Sequence, residues 1–487
     1  MKKNIYLIGL IIVLFSSASF SQYSTPGNYG SYTLDDLVAN SGGVVVYDEE
    51  SYWFTADVTI SQTDTLYILD DGKLIIYEDV LWTIKGVLMM IPPNEFLVYK
   101  TVDGGCFRGI RFEDSSASRI CNMVCLGGGG IKLVNSDLEF HNCSITHFDQ
   151  GYCSAAIDLF QSNPLINECF FEYNAGAAIG SAANGASSPR IIKNHIWYND
   201  DNNENVPQIN LGTSNGMDPI VIDSNSISSF QEMSGGIAVA TLAGGNILAF
   251  IRGNTIAMNR YGIAVIGDNI HTIISGNNII DNTIQGEPMQ GGSGINFQGG
   301  ESNTSIVSDN NIQRNLWGIT ILMNAKPNLG DAGTESPGHN RILHNSNNFQ
   351  DYNLYNNTSG EIMALNNFWG TDNLAEAEET IYHMVDDPSL GEVFFDPMWT
   401  NPLGLEDPSQ DMLFAVYPNP CSHHFTIKWQ EGESAYYEVF DVLGSKVADG
   451  FLDAGINDIN TQFWRKAVYY LRISTPTNTM NRTFIVK

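Results

Sequence analysis

Positive charge is scarce in this sequence: 23 Lys and Arg stand against 54 Asp and Glu, a formal charge of −31 over 487 residues. Such a field repels nucleic acid and anionic membrane surfaces and leaves cationic or neutral partners, uncharged glycans among them. Cysteine is sparse too. Of seven, six lie between Cys106 and Cys169, Cys421 stands alone, and Cys121 and Cys125 have no second ligand pair near them to hold a metal. The odd total leaves at least one thiol unpaired within a monomer and fixes no pairing among the rest. The histidines build no triad; His141 and His147 flank Ile145 with no nucleophile beside them. After the first 21 residues no apolar run is long enough to span a bilayer.

What is present begins with a leader. Lys2 and Lys3 precede the apolar run from Ile5 to Phe15, and Ser19 and Ser21 are placed for cleavage before Gln22. Residues 1–21 therefore read as a secretory signal peptide, the apolar run falling short of the ~20 residues of a membrane anchor. Export makes disulfides permissible.

The body of the chain repeats itself. An apolar residue after a short polar stretch recurs at Ile145, Phe170, Ile196, Ile227, Ile256, Ile279, Ile312, Phe349 and Phe368, at intervals of 19 to 37 residues. A small residue and then an apolar strand follow the first eight, at Ile157, Ile179, Ile209, Ile237, Ile263, Ile295, Ile319 and Leu354. These strands are too short for helices and alternate apolar with polar residues. One coil of such strands cannot bury its inward side chains. Stacking the next coil ~4.8 Å above completes the backbone ladder and aligns the apolar residues. Two residues before the first landmark stand Asn194, Asn225, Asn254, Asn277, Asn310, Asn347 and Asn366. Asn tolerates left-handed backbone at a bend, and stacked amides hydrogen-bond from coil to coil, so these residues read as a structural ladder rather than as ligands.

The Asn-x-Ile and Gly-Ile pattern, over about residues 100–370, resembles the parallel β-helix repeat family, the fold of pectate lyases and many secreted polysaccharide-acting proteins. The resemblance implies an all-β chain built as a right-handed single-stranded parallel β-helix. It is specific for fold and poor for function. Around it we expect an N-terminal cap over 22–51, with Thr33 and Asp36 closing the start of a short helix. The β-helix then runs over 52–370, a C-terminal cap over 371–401, a linker over 402–412 and a small β-sandwich over 413–487. In the last segment Tyr417-Pro418-Asn419-Pro420, Phe440-Asp441 with Gly444, and the basic terminus resemble the C-terminal sorting domain of type IX secretion, departing from it at Ala467. That implies a Gram-negative exporter, the secretion machinery as partner of 413–487, and a secreted or outer-surface location.

No familiar active-site motif emerges. Asp200-Asp201 is present, but the Gly-His-Gly of polygalacturonase-like sequences is not, and Arg190-Ile191-Ile192-Lys193 comes before the Asp pair, in the wrong order. Arg252, Arg260, Arg314 and Lys193 form no obvious stack. The oxygen-rich loop carrying Asp200, Asp201 and Glu204 suits Ca²⁺, with a solvated turn as the alternative; no other cofactor is required. For a sugar platform the sequence offers Trp197 and Tyr198, with Phe171 at Trp197's position one coil earlier, and Tyr261 and Trp317 in a shared register two coils apart. The same rings also serve simply to shield a sheet. The expectation is an exported protein that binds extracellular glycan or another surface partner. A polysaccharide lyase or glycoside hydrolase and a structural adhesin stalk are the alternatives.

Overall fold

A computed structural model describes residues 22–101, 104–149, 151–333, 336–400, 414–417, 421–429, 435–441, 445–453, 455–474 and 479–486. The expected leader (1–21) and linker (402–412) lie outside the described residues. The chain divides into two units, 1–400 and 401–487.

Three long sheets of 14, 13 and 11 strands, here sheets I, II and III, make up the first unit. Each regular coil gives one strand to each. Ile247–Arg252 lies in sheet III, Thr255–Ala257 in sheet II and Ile263–Ile266 in sheet I, and the next coil repeats the order. The pairing between coils is parallel, and apolar residues fall on one another. Ile196, Ile227, Ile256, Ile279, Ile312 and Ile342 are successive partners in sheet II, all buried. In sheet I, Ile157, Ile179, Ile209, Ile237, Ile263, Ile295, Ile319 and Leu354 do the same.

Three landmarks of the sheet II row differ from expectation. Phe171, not Phe170, pairs with Ile145 and Ile196 and points into the core. Ile342 takes the place expected for Phe349, and Phe368 pairs with Arg341, one residue out of the row. Where two apolar residues adjoin, alternation alone does not say which faces inward, and a one-residue slip exchanges the two faces.

The asparagine ladder is continuous. Asn225 Oδ1 accepts the Asn194 amide and its Nδ2, both at 2.9 Å, while Asn194 Nδ2 also donates to Ile166 O at 3.0 Å. The pattern repeats through Asn254, Asn277 and Asn310. It then passes to Asn340 and Asn367 rather than to Asn347 and Asn366. Asn347 sits in a hairpin and donates to Leu316 O, and Asn366 is a left-handed corner residue one position early. Upstream, Cys143 and Cys169 fill the same column. The Cys169 amide donates to Asn194 Oδ1 at 2.9 Å, the Cys143 amide to Cys169 Sγ at 3.4 Å, and Cys143 Sγ to Ile120 O at 3.6 Å. All seven cysteines are free thiols. Five residues after Asn254, Asn277, Asn310 and Asn340 runs a second column, in which Asn259, Asn282, Asn315 and Asn345 repeat the same bonding. Backbone groups at two corners of each coil, unable to join a sheet, find partners this way.

Helix α1 (Leu34–Asn40) caps the first coils. Asp36 N donates to Thr33 Oγ1 at 3.3 Å, Thr33 N donates to Asp36 Oδ2 at 2.8 Å, and Leu34 and Leu37 are buried. At the other end helix α2 spans Leu374–Glu378, and Ile381–Tyr382 then joins sheet I beside Leu354. Val393–Phe394 pairs with Ile362–Met363 to close the unit.

Among its described residues the second unit holds two antiparallel sheets. Phe414–Tyr417, His424–Trp429 and Gly455–Asn460 form one, and Ala435–Phe440, Lys446–Leu452, Ala467–Ser474 and Thr479–Val486 form the other. Phe425, Ile427, Val439, Leu471 and Phe484 share a single core.

Candidate functional site

Side chains alternate across a strand, so the residue after each inward isoleucine of sheet I faces outward. Reading those residues coil by coil gives Arg111, Lys132, Asp158, Gly180, Asn210, Ala238, Ala264, Asn296, Thr320, Tyr355 and Tyr382, all in Cα register. Ten steps of ~4.8 Å make this column about 48 Å long. It is charged at one end, small or polar in the middle and aromatic at the other end.

At the charged end Lys132 Nζ meets Asp158 Oδ1 at 2.9 Å, and Asp158 Oδ2 accepts Ser154 N and Oγ at 3.2 and 3.3 Å. Arg111 Nε pairs with Glu113 Oε2 at 3.2 Å, and its Nη1 donates to Tyr152 OH at 3.1 Å. Both cations are therefore matched by carboxylates, and the cleft they border is not cationic. That cleft, about 570 Å³, is lined by Tyr152, Ser154, Asp158, Ser181, Glu204 and Asn210 over a floor of Ala155, Ala177 and Gly180.

The acidic loop 199–205 forms one wall. Asp200 Oδ1 accepts the Glu204 amide at 2.9 Å and Oδ2 the Val206 amide at 3.1 Å, so this carboxylate shapes the loop that presents Glu204. Burial pushes the Asp200 carboxyl up, against the two amide bonds. Asp201 Oδ1 accepts from Gln231 Nε2 at 3.0 Å. Among the described residues no three His, Cys, Asp or Glu side chains gather as a cation cage.

The five expected aromatics do not converge. Phe171 is in the core, and Glu172 rather than Phe171 is Trp197's partner. Trp197 is buried on sheet II with Nε1 donating to Ser226 Oγ at 3.4 Å. Tyr198 stands at the corner between sheets II and I, between Tyr173 at 5.4 Å and Phe230 at 4.4 Å. The faces of Tyr198 are thus engaged by its neighbouring rings. Tyr261 and Trp317 do share a register, through Ser293, and Tyr261 covers Gly235. Trp317 lies 4.7 Å from Tyr352 and 5.1 Å from Tyr355, which stacks on Tyr382 at 4.9 Å.

Sequence reasoning missed Arg111, Lys132, Tyr152, Asp158 and Asn210. For the four on sheet I the signal was available, since each follows an inward isoleucine directly. Tyr152 comes from a loop, whose reach no periodicity reports.

Residues 108–279 match the family model described as a right-handed beta helix region, and residues 415–487 match the one described as a secretion system C-terminal sorting domain. No curated protein matches the chain at a significant level. Among solved structures, the chain is similar to the enzymatically active domain of tailspike protein 2 of bacteriophage CBA120. The identity is 9% and the TM-score 0.22, over 86% of this chain and 72% of that one. It is also similar to the tailspike protein gp49 of the Acinetobacter baumannii bacteriophage Fri1, described as a capsular polysaccharide depolymerase. There the identity is 8% and the TM-score 0.20, over 86% and 73% of the two chains. The two family matches and the stacked parallel sheets make the chain a secreted parallel β-helix protein with a secretion sorting domain at residues 415–487.

Proposed function

We propose that this protein binds an extended, uncharged glycan along the outer face of sheet I, with the cleft between Tyr152 and Glu204 as the principal subsite. The observation that carries this reading is the composition of the cleft. Planar hydrogen-bonding groups (Asp158, Glu204 and Asn210) and one aromatic ring surround a floor of small residues. Sugar hydroxyls need convergent donors and acceptors, and a pyranose needs a floor without projecting side chains. Charge supports a neutral ligand: the cations beside the cleft are paired with carboxylates, and the chain carries −31 overall. The sorting domain takes the protein to the secretion machinery and so outside the cell, free or surface-attached, where such glycans are met.

A second reading, glycan cleavage, is favoured by Asp158 and Glu204 facing one cleft, since glycoside hydrolysis uses two carboxylates. Asp158, however, is engaged by Lys132 and Ser154 and is better placed to orient than to transfer a proton. Titration of the purified protein with a panel of neutral polysaccharides tests the binding reading. Asn210→Ala and Glu204→Gln should each weaken the ligand found at least ten-fold. Release of reducing ends would replace binding by catalysis, and no retention on any polysaccharide would refute both.

A further inference from the structure

The hairpin between the last regular strands of sheets II and I contradicts local preference. Ser346–Asn347 and Gln350–Asp351 pair antiparallel around a two-residue turn, Asn348-Phe349, with φ of 49° and 67°. A turn with positive φ at both central residues favours Asn-Gly. Asn348 fits the first place, but the second holds phenylalanine, whose bulk makes left-handed backbone a true outlier. Its ring is also fully exposed. Nothing about folding asks for this residue, since glycine would relieve the backbone and remove apolar surface from water.

The hairpin is nonetheless held firmly. Ser346 N donates to Asn315 O at 2.9 Å, Asn347 Nδ2 to Leu316 O at 2.9 Å, Tyr352 N to Asn345 O at 2.7 Å and Gln350 Nε2 to Glu379 O at 3.2 Å. Beside the ring opens a cleft of about 420 Å³ bordered by His344, Gln350, Asp351, Thr371, Glu376 and Glu379. A strained, exposed, rigidly mounted aromatic over a hydrogen-bonding cleft points to recognition rather than to stability.

We infer that Phe349 and this cleft form a second glycan subsite, in which the ring stacks on one pyranose and the polar rim takes its hydroxyls. The inference rests on the glycan reading above and places a new contact within it. Carboxylates on the rim disfavour anionic lipid headgroups, and the polar cleft gives an apolar protein anchor no seat. The hairpin lies on the same edge of sheet I as the Glu204 wall, five coils further on, or about 24 Å. One ligand chain of roughly five sugars would reach both.

The test uses the full chain with dextran, laminarin, mannan and phosphatidylcholine vesicles as probes. Phe349→Gly is expected to weaken the polysaccharide retained by the parent at least ten-fold, with a melting temperature unchanged or higher. Phe349→Trp is expected to keep binding. The inference is overturned if Phe349→Gly binds as tightly as the parent, or if it melts lower, which would make the ring structural. Vesicle binding that disappears in Phe349→Gly would overturn it in favour of a membrane. Loss of binding in Asn210→Ala but not in Phe349→Gly removes this subsite and leaves the cleft reading intact. The converse keeps this subsite and removes the cleft, and a parent that retains no polysaccharide removes both.

Discussion

Replacing Asn254 by alanine isolates one rung of the ladder. Asn254 Oδ1 accepts the Asn225 amide and its Nδ2, both at 2.9 Å, and Asn254 Nδ2 donates to Ile222 O and Asn277 Oδ1, also both at 2.9 Å. Asn277 Oδ1 would keep the Asn254 backbone amide. The Asn225 amide, one hydrogen of its Nδ2 and Ile222 O would lose partners at a site only 1% exposed. Each orphaned buried group costs about 1–3 kcal/mol, and with partial relaxation the sum is about 3–5 kcal/mol. Hydrogen exchange followed peptide by peptide is the suitable assay, because a repeat array opens locally. At about 1.4 kcal/mol per ten-fold, protection over residues 220–228 should fall roughly 100-fold or more. The exposed control Asn202→Ala should stay within about 0.5 kcal/mol of the parent. A change under about 1 kcal/mol in Asn254→Ala would refute the view that these amides hold the corners.

Three further outcomes follow from the packing. Ile227→Ala, between Ile196 and Ile256 in the core row, should lose about 2–5 kcal/mol in urea unfolding; a loss below about 1 kcal/mol would contradict the layering. Cys169→Asn should be neutral or stabilising by about 1 kcal/mol, since an amide oxygen would replace the sulfur acceptor of the Cys143 amide. A marked fall in melting temperature would show that the column has no room for the larger side chain. Burial of Asp64 opposes its ionised form, but the Thr25 hydroxyl and the amides of Gly27, Gly30 and Asn28 outweigh it and hold the carboxyl below its usual range. A lowered folded value stabilises above the unfolded value of ~3.9 and is lost as pH falls through the folded one. Protection factors at residues 25–30 should therefore fall in acid, and Asp64→Asn should remove that dependence.

The rows of sheets I and II were legible because isoleucine marks the inward position in almost every coil. Where phenylalanines adjoin (Phe170-Phe171) or a hairpin interrupts (345–353), the mark failed, and Phe349 was taken for core although it is the most exposed ring among the described residues of the first unit. A stricter sign was present: Asn194 and Asn199, Asn254 and Asn259, Asn277 and Asn282, Asn310 and Asn315, and Asn340 and Asn345 each lie five apart, one Asn at either corner of a sheet II strand. That spacing places coil 340–345 correctly. It also shows the residues of the acidic loop following a corner asparagine, Asn199. The cysteines of the ladder were not legible, because a thiol replaces an amide only when the surrounding carbonyls are known. The cleft was half legible: its sheet residues follow from alternation, whereas Tyr152 and Glu204 come from loops whose direction is set by Asp200 and by contacts across coils.

Spin-label distance measurement between Lys73→Cys and Thr255→Cys addresses the stacking of coils most directly. The two positions are 182 residues apart in sequence but belong to one column of sheet II, through Leu97, Val124, Ser144, Phe170, His195 and Ser226. With Cys106 and Cys121 replaced by serine, seven rungs at ~4.8 Å predict a narrow distribution near 34 Å. A broad distribution, or a maximum beyond about 50 Å, would contradict the stacked helix.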